Sequence, residues 1–162
     1  MASLAERLMG NLDSVFEKSG WGWHPPLLPS VEHLTAAQAA FVSEGRNSIW
    51  KIVEHMALWK AYMAGRMAGQ PKRPAGWAKE ADWKALPEVT DEAWQATIRR
   101  LIDAQAGVKA ELTRRSDDEL NQTLPGTDVP LSAIIQGIIA HDSYHCGQIH
   151  YIRAIQGIPA ES

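Results

Sequence analysis

Apolar residues recur every third or fourth position in four long segments of the chain. These segments cover roughly residues 2–19, 48–69, 91–112 and 130–156. This spacing places the apolar residues of each segment on one side of an α-helix. No stretch alternates between apolar and polar residues as a half-buried strand does. The pattern predicts an all-α fold, a four-helix bundle formed by a single domain over residues 1–162.

Polar residues and prolines mark the predicted helix ends. Asn47 or Ser48 is placed to cap the second long helix and Thr90 to cap the third, because short oxygen-bearing side chains bond the free N–H groups there. Pro130 suits the first turn of the last helix. Residues 71–87, between the second and third long helices, show no period and contain Pro, Gly and two Trp. We expect a long crossover loop there, and long loops in compact domains are often functional.

His141 and His145 lie on an apolar face of the last predicted helix. They are four residues apart, so the helix stacks them one turn above the other. At about 100° per residue, Ile149 and Ile152 fall within roughly 60° of Ile138 on this same face. Two imidazoles directed into a hydrophobic seam need partners, because a buried polar group without one is costly. One metal ion would satisfy both.

His55 supplies a third candidate ligand. It lies mid-way along the second long helix, on the flank of the apolar stripe, and bundles build metal sites where mid-helix residues of neighbouring helices meet. Three imidazoles leave coordination positions open, which is typical of catalytic sites. Imidazole ligation suits zinc, nickel, iron or copper better than calcium or magnesium. The alternative is three core histidines that each find a hydrogen-bond acceptor.

Composition excludes several classes of protein. Hydrophobic residues make up 45% of the chain and charged residues 22%, and the formal charge of −3 disfavours a dedicated nucleic-acid binder. The single cysteine, Cys146, excludes an internal disulfide and a cysteine-based zinc cluster. The N-terminus lacks the apolar run of a signal peptide, and no stretch approaches the ~20 apolar residues of a membrane span. We therefore expect a cytoplasmic protein without membrane or nucleic-acid partners.

Two motifs resemble those of the DinB-like (YfiT-like) metal-dependent proteins. Residues 48–59, SIWKIVEHMALW, are similar to the second-helix motif of that family, and residues 141–149 resemble its last-helix motif HxxxHxGQI. The segment 23–25 (WHP) and the loop from Trp59 to Trp83 are also similar to one branch of the family. The resemblance covers essentially the whole chain, with both motifs in the family's order.

This resemblance implies a four-helix bundle, commonly dimeric, with a divalent metal held by His55, His141 and His145. Relatives include transferases and isomerases that use low-molecular-weight thiols such as bacillithiol or mycothiol. We therefore expect a homodimer with a zinc or nickel ion that acts on a small-molecule substrate, with a thiol as a further cofactor. The competing interpretation is a non-catalytic metal-binding or stress-responsive protein.

Asp142 and Gln148 are the candidate catalytic residues. His141-Asp142-x-x-His145 differs by one methylene from the His-Glu-x-x-His pattern of zinc proteases, in which the acid is the general base of a hydrolase. Alternatively, Asp142 pairs with a neighbouring helix or orients a ligand histidine. Gln148 lies one turn beyond His145, where it would bond a metal-bound water or an imidazole N–H. Its alternative role is an ordinary hydrogen bond between helices.

Further side chains have less specific expectations. Tyr62 and Tyr144 flank the site and either line a cleft or pack. Cys146 is turned about 100° from His145 and is expected to be buried rather than reactive. His24 lies in a turn bounded by tryptophan and proline and is a candidate for the open face of the metal.

Four cations near the predicted loops could receive an anionic substrate, although charges in such places are usually just solvated. They are Arg46, Arg66, Lys72 and Arg73. The sequence does not distinguish among them.

Overall fold

The computed structural model describes residues 2–17, 25–86 and 88–159, and nearly all of its regular structure is helical. The helices within these ranges are α1 (Leu4–Phe16), α2 (Pro29–Glu32), α3 (Ala36–Ala40), α4 (Ile49–Met67), α5 (Trp77–Ala81), α6 (Asp91–Thr113), α7 (Asp117–Leu120) and α8 (Leu131–Ile155). The described residues form no strand, only an isolated bridge between Thr123 and Pro130. The predicted all-α class is confirmed. None of the described helices has the length and apolarity to cross a membrane.

Hydroxyl side chains begin five of these helices. They are Ser3 for α1, Thr35 for α3, Ser48 for α4, Thr90 for α6 and Ser116 for α7. Each hydroxyl accepts a hydrogen bond from a backbone N–H of the first turn, which would otherwise lack a partner. Ser48, and not Asn47, therefore caps α4. Pro130 is the residue before α8 and not the first within it.

The four long helices pack side by side. α4 packs along α6, and α8 contacts both α1 and α4, while α1 also reaches α6. Trp50 of α4 and Trp94 of α6 meet in the core with ring centroids 5.2 Å apart. The indole N–H of Trp50 donates to the Thr97 hydroxyl at 2.9 Å, so this buried polar group is satisfied. This packing brings α4 and α8, which carry the three histidines, into direct contact.

A buried ion pair joins α4 to α8. Lys60 Nζ donates to Asp142 Oδ2 at 2.6 Å and to Gln105 Oε1 at 2.7 Å, and both charged side chains are almost fully buried. Burial lowers the pKa of Lys60 and raises the pKa of Asp142, because it disfavours both charges. Each charge offsets this cost for the other, so the pair fixes how the two helices sit against each other.

The crossover between α4 and α6 differs from the expected irregular loop, because it contains α5. Gly76, at φ 86°, begins this helix in a left-handed conformation that glycine adopts without strain. Trp77 then packs against Trp59 and Tyr62, with ring centroids 5.4 Å and 4.9 Å apart. A five-residue helix is too short to show a sequence period. Its aromatic contacts hold the crossover against α4.

Candidate metal centre

Three imidazoles converge where α4 and α8 meet. His141 Nε2 lies 3.0 Å from His55 Nε2 and 3.0 Å from His145 Nε2. One ring nitrogen from each histidine falls within 4.8 Å of the others. Protein imidazoles bind zinc at roughly 2.0–2.1 Å, so nitrogens this close can share one ion. The structure therefore brings together all three histidines expected to be ligands.

His55 is oriented by Asp82, a residue of the crossover. His55 Nδ1–H donates to Asp82 Oδ2 at 2.7 Å, and the carboxylate side chain is only 7% exposed. Trp59 Nε1–H donates to the same oxygen at 2.9 Å, and the backbone N–H of Trp83 donates to the other at 2.9 Å. An ionised carboxylate only accepts hydrogen bonds, so His55 must carry its proton on Nδ1. In the neutral imidazole, Nε2 then presents its lone pair to the other two histidines.

His145 is oriented within α8. Its Nδ1–H donates to Gln148 Oε1 at 2.7 Å, which leaves the lone pair on Nε2. The Gln148 amide in turn donates to the Tyr144 hydroxyl at 3.0 Å. Gln148 thus bonds an imidazole N–H, as the sequence suggested. The alternative of a hydrogen bond between helices is wrong, because all three residues lie on α8.

This hydrogen-bond pattern calls for a cation between the rings. The lone pairs of His55 and His145 both point toward His141 Nε2, at 3.0 Å each. His141 has one hydrogen at most on that nitrogen, so it can donate to only one of the two. At least one of the two contacts therefore has no hydrogen between its nitrogens, which leaves an Nε2 lone pair that a cation between the rings would satisfy. The donor set fits a divalent metal that binds imidazole.

Burial keeps two of the rings in the form that binds metal. Burial, together with the neighbouring His145 and His55, lowers the pKa of His141 to about 4. Burial also lowers the pKa of His145. A neutral imidazole presents the lone pair that a metal needs. Both rings are therefore available as ligands at neutral pH.

Trp83 covers the outer side of His55. Its ring stacks on the imidazole with centroids 4.4 Å apart and planes 18° from parallel. Its φ is 54°, the only positive value at a non-glycine residue among the described ranges. Left-handed backbone costs a residue with a Cβ about 1–2 kcal/mol, so the surrounding contacts must hold it there. The strain lies directly beside a candidate ligand.

A cavity of about 790 Å³ opens onto the three histidines. Its walls include Ile52, Trp83, Tyr144 and Tyr151, together with a turn before α4. Volumes of this order accommodate small organic molecules. Among the described residues, the group that could hold an ion contains no fourth histidine, cysteine or carboxylate. The site therefore combines three ligands with access for a further molecule.

Comparison with known families agrees with these observations. A family model described as the DinB superfamily matches residues 25–149, a range that contains all three histidines. The chain belongs to the DinB superfamily. The comparisons with curated proteins and with solved structures gave no match. Family membership supports the all-α fold and does not by itself specify a reaction.

The DinB fold places the other predicted residues as follows. The Asp142 carboxylate is bonded to Lys60 of the neighbouring helix, and Asp142 is not among the residues that line the cavity. Cys146 is buried and donates its S–H to the Pro25 carbonyl at 3.2 Å. Tyr62 packs against Trp77, whereas Tyr144 lines the cavity. His24 lies outside the described residues.

Sequence reasoning missed Asp82 and Trp83 in this DinB chain. Both lie in the segment predicted to be a functional loop, but no local pattern separates Asp82 from the nearby Glu80. A possible signal was an acidic residue beside a tryptophan within the crossover that follows α4, the helix that carries His55. That signal is too common to identify a partner for His55.

Proposed function

We propose that this DinB protein is a metal-dependent enzyme that acts on a small molecule, with a divalent zinc or nickel ion held by His55, His141 and His145. Within that class we propose transfer of a low-molecular-weight thiol to an electrophilic substrate, or a thiol-dependent isomerisation. One observation carries the proposal. Two Nε2 lone pairs, fixed by Asp82 and Gln148, point at a third imidazole beside an open cavity.

The chain's own groups have defined roles in this proposal. A bound divalent ion supplies Lewis acidity, which lowers the pKa of a thiol or water that coordinates it. Asp82 and Gln148 hold His55 and His145 in the tautomer that presents Nε2. The Tyr144 hydroxyl accepts from Gln148 and keeps its own proton to donate into the cavity. Ile52 and Ile152 line the same cavity and exclude water from part of it.

The open cavity favours catalysis over a purely structural ion. A structural zinc site is closed by four protein ligands, whereas here three imidazoles line a space of about 790 Å³. A hydrolase that uses Asp142 as general base is less well supported, because that carboxylate is buried against Lys60. A general base has to come within hydrogen-bond reach of the proton it takes, directly or through one water.

The first experiment is elemental analysis of untagged protein purified from metal-replete cells. We expect near-stoichiometric zinc or nickel in the wild type and loss of it in His55→Ala and His141→Ala. His33→Ala is a matched control, because that imidazole is 69% exposed and lies outside the site. Circular dichroism on each variant shows whether it still folds. Metal retained by folded ligand variants, or absent from the wild type, would overturn the metal site.

Metal-loaded protein is then used to test for thiol transfer. A low-molecular-weight thiol is mixed with a fluorogenic alkyl halide, and the rate of thioether formation is compared for wild type and Tyr144→Phe. Catalysis that disappears after chelation and returns with the ion supports thiol transfer. A loaded protein that accelerates no thiol reaction across a panel of electrophiles would leave an ion-binding protein without this activity.

A further inference from the structure

The cavity over the histidines is lined by positive charge. Among the described residues that line it, Arg46 is the one with a permanent charge, and none carries a carboxylate. Asp82 lies behind His55, where its hydrogen bonds go to that ring, Trp59 and Trp83. A divalent ion between the imidazoles would add further positive charge. The space is therefore electrostatically suited to an anion.

The adjacent cavity has no such bias. It measures about 800 Å³, lies along α4 and α6, and shares His55 and Trp83 with the first. In the part of the chain that the structure describes, three cations and three carboxylates line it; they are Lys51, Lys84, Arg100, Glu54, Asp82 and Asp103. Arg100 also pairs directly with Glu54. The excess of positive charge is thus specific to the cavity that opens onto all three histidines.

Arg46 is held at the rim by a tight turn. Its backbone N–H donates to the Ser43 carbonyl at 3.0 Å, and Gly45 adopts φ 69°. Glycine reaches this conformation without the strain that a Cβ would cause. The Arg46 guanidinium has no hydrogen-bond or ion-pair partner within the described part of the chain. No described residue takes up its donors, so they can bind a ligand.

The other candidate cations are committed elsewhere. Arg66 is buried and donates to the carbonyls of Gln70 and Pro125. Arg73 lies over the Trp77 ring, 5.0 Å from its centroid. None of them lines the cavity over the histidines. The structure therefore selects Arg46 from the cations that the sequence left equivalent.

The geometry points to Arg46 as the receptor for a carboxylate, so we propose that the site takes a small organic acid whose opposite end reaches the histidines. This inference rests on the proposed function and specifies its substrate class. A guanidinium matches a carboxylate with two parallel hydrogen bonds. Helical rise separates the start of α4 from His55 by about 9 Å. A flexible chain of about six carbons spans such an interval, and Ile52, Ile152 and Tyr151 offer it apolar contacts.

The carboxylate could belong to the thiol or to the second substrate, and matched probes separate the two sources. Calorimetric titration of zinc-loaded protein compares mercaptohexanoate with mercaptohexanol. A second titration compares hexanoate with hexanol while mercaptoethanol is present at saturation. We expect the acid of at least one pair to bind about tenfold more tightly than its alcohol. The pair that shows this preference identifies which reactant carries the carboxylate.

Variants assign the preference to Arg46. Arg46→Gln should abolish it without changing affinity for the alcohols, and Arg46→Lys should retain part of it. Arg99→Gln is the matched control, because that arginine is exposed on α6 and lines neither cavity. A preference that survives in Arg46→Gln, or equal binding of acid and alcohol in both pairs, would overturn the proposal.

Metal-free protein separates the two proposals. If the wild type binds no metal, the hexanoate and hexanol titrations are run on that protein. An Arg46-dependent preference there would uphold the carboxylate site while the metal-dependent function fails. Normal metal binding without a preference for the acid would leave the metal site intact and overturn the carboxylate site.

Discussion

Replacing Asp82 with asparagine tests how strongly the crossover supports the proposed metal centre. The carboxylate accepts three hydrogen bonds, with His55 and Trp59 on one oxygen and the Trp83 backbone on the other. Asparagine has a single acceptor oxygen, so its NH₂ must face either the Trp83 N–H or the His55 and Trp59 donors. One or more of these donors then loses its partner, and His55 loses the charge that strengthens it as a ligand.

The expected loss is about 10- to 100-fold in zinc affinity, the range found for partners of metal-binding histidines. It corresponds to about 1.4–2.8 kcal/mol of binding free energy. Competition against a chromophoric chelator at fixed pH measures it, with circular dichroism to establish that the variant folds. Asp103→Asn is the control, because that exposed carboxylate lines only the adjacent cavity. Folded Asp82→Asn protein with zinc affinity within about threefold of wild type would refute the reasoning.

Three further predictions concern stability. Lys60→Met should lower the free energy of unfolding, measured in urea, by about 3–5 kcal/mol, because it leaves the Asp142 carboxylate buried and unpaired. The double variant Lys60→Met/Asp142→Leu should recover most of that stability. A Lys60→Met variant as stable as the wild type would contradict the prediction. Burial raises the pKa of Cys146 from 9.0 to about 11, so the thiol ionises at lower pH in the unfolded chain than in the folded protein. The free energy of unfolding should therefore fall as pH rises from about 9 to 11. Cys146→Ala should lack this pH-dependent component, and rapid alkylation of the native thiol at pH 8 would argue against the prediction. Gly157 lies just after α8 at φ 69°, a left-handed conformation in which alanine is strained. Gly157→Ala should therefore lower the stability of the protein by about 1 kcal/mol. An unchanged midpoint of thermal unfolding would contradict this prediction.

Local signals predicted the helices and their caps well. A cap depends on a side chain and the first turn beside it, so Thr90 could be identified from a few residues. The ligand pair His141 and His145 is equally local, because one helix turn sets its spacing. The apolar surroundings of His55 supplied the third expected ligand without any pairing information.

The remaining features depend on contacts distant in sequence. Asp82 lies 27 residues from His55. The helix α5 has five residues, too few to show a hydrophobic period that would predict the path of the crossover. Asp142 shows the same limitation. Its neighbour His141 suggested a catalytic acid, but adjacent helical residues point about 100° apart, so Asp142 meets Lys60 instead.

The crossover contacts both a candidate metal ligand and the two cavities. Asp82 fixes the His55 tautomer, and the next residue, Trp83, forms a wall of both cavities. A change in the length or packing of this segment therefore alters the shape available to a reactant and the electron-donating strength of His55 together. In the proposed enzyme, a substitution in this segment would therefore change substrate selectivity and ion affinity together.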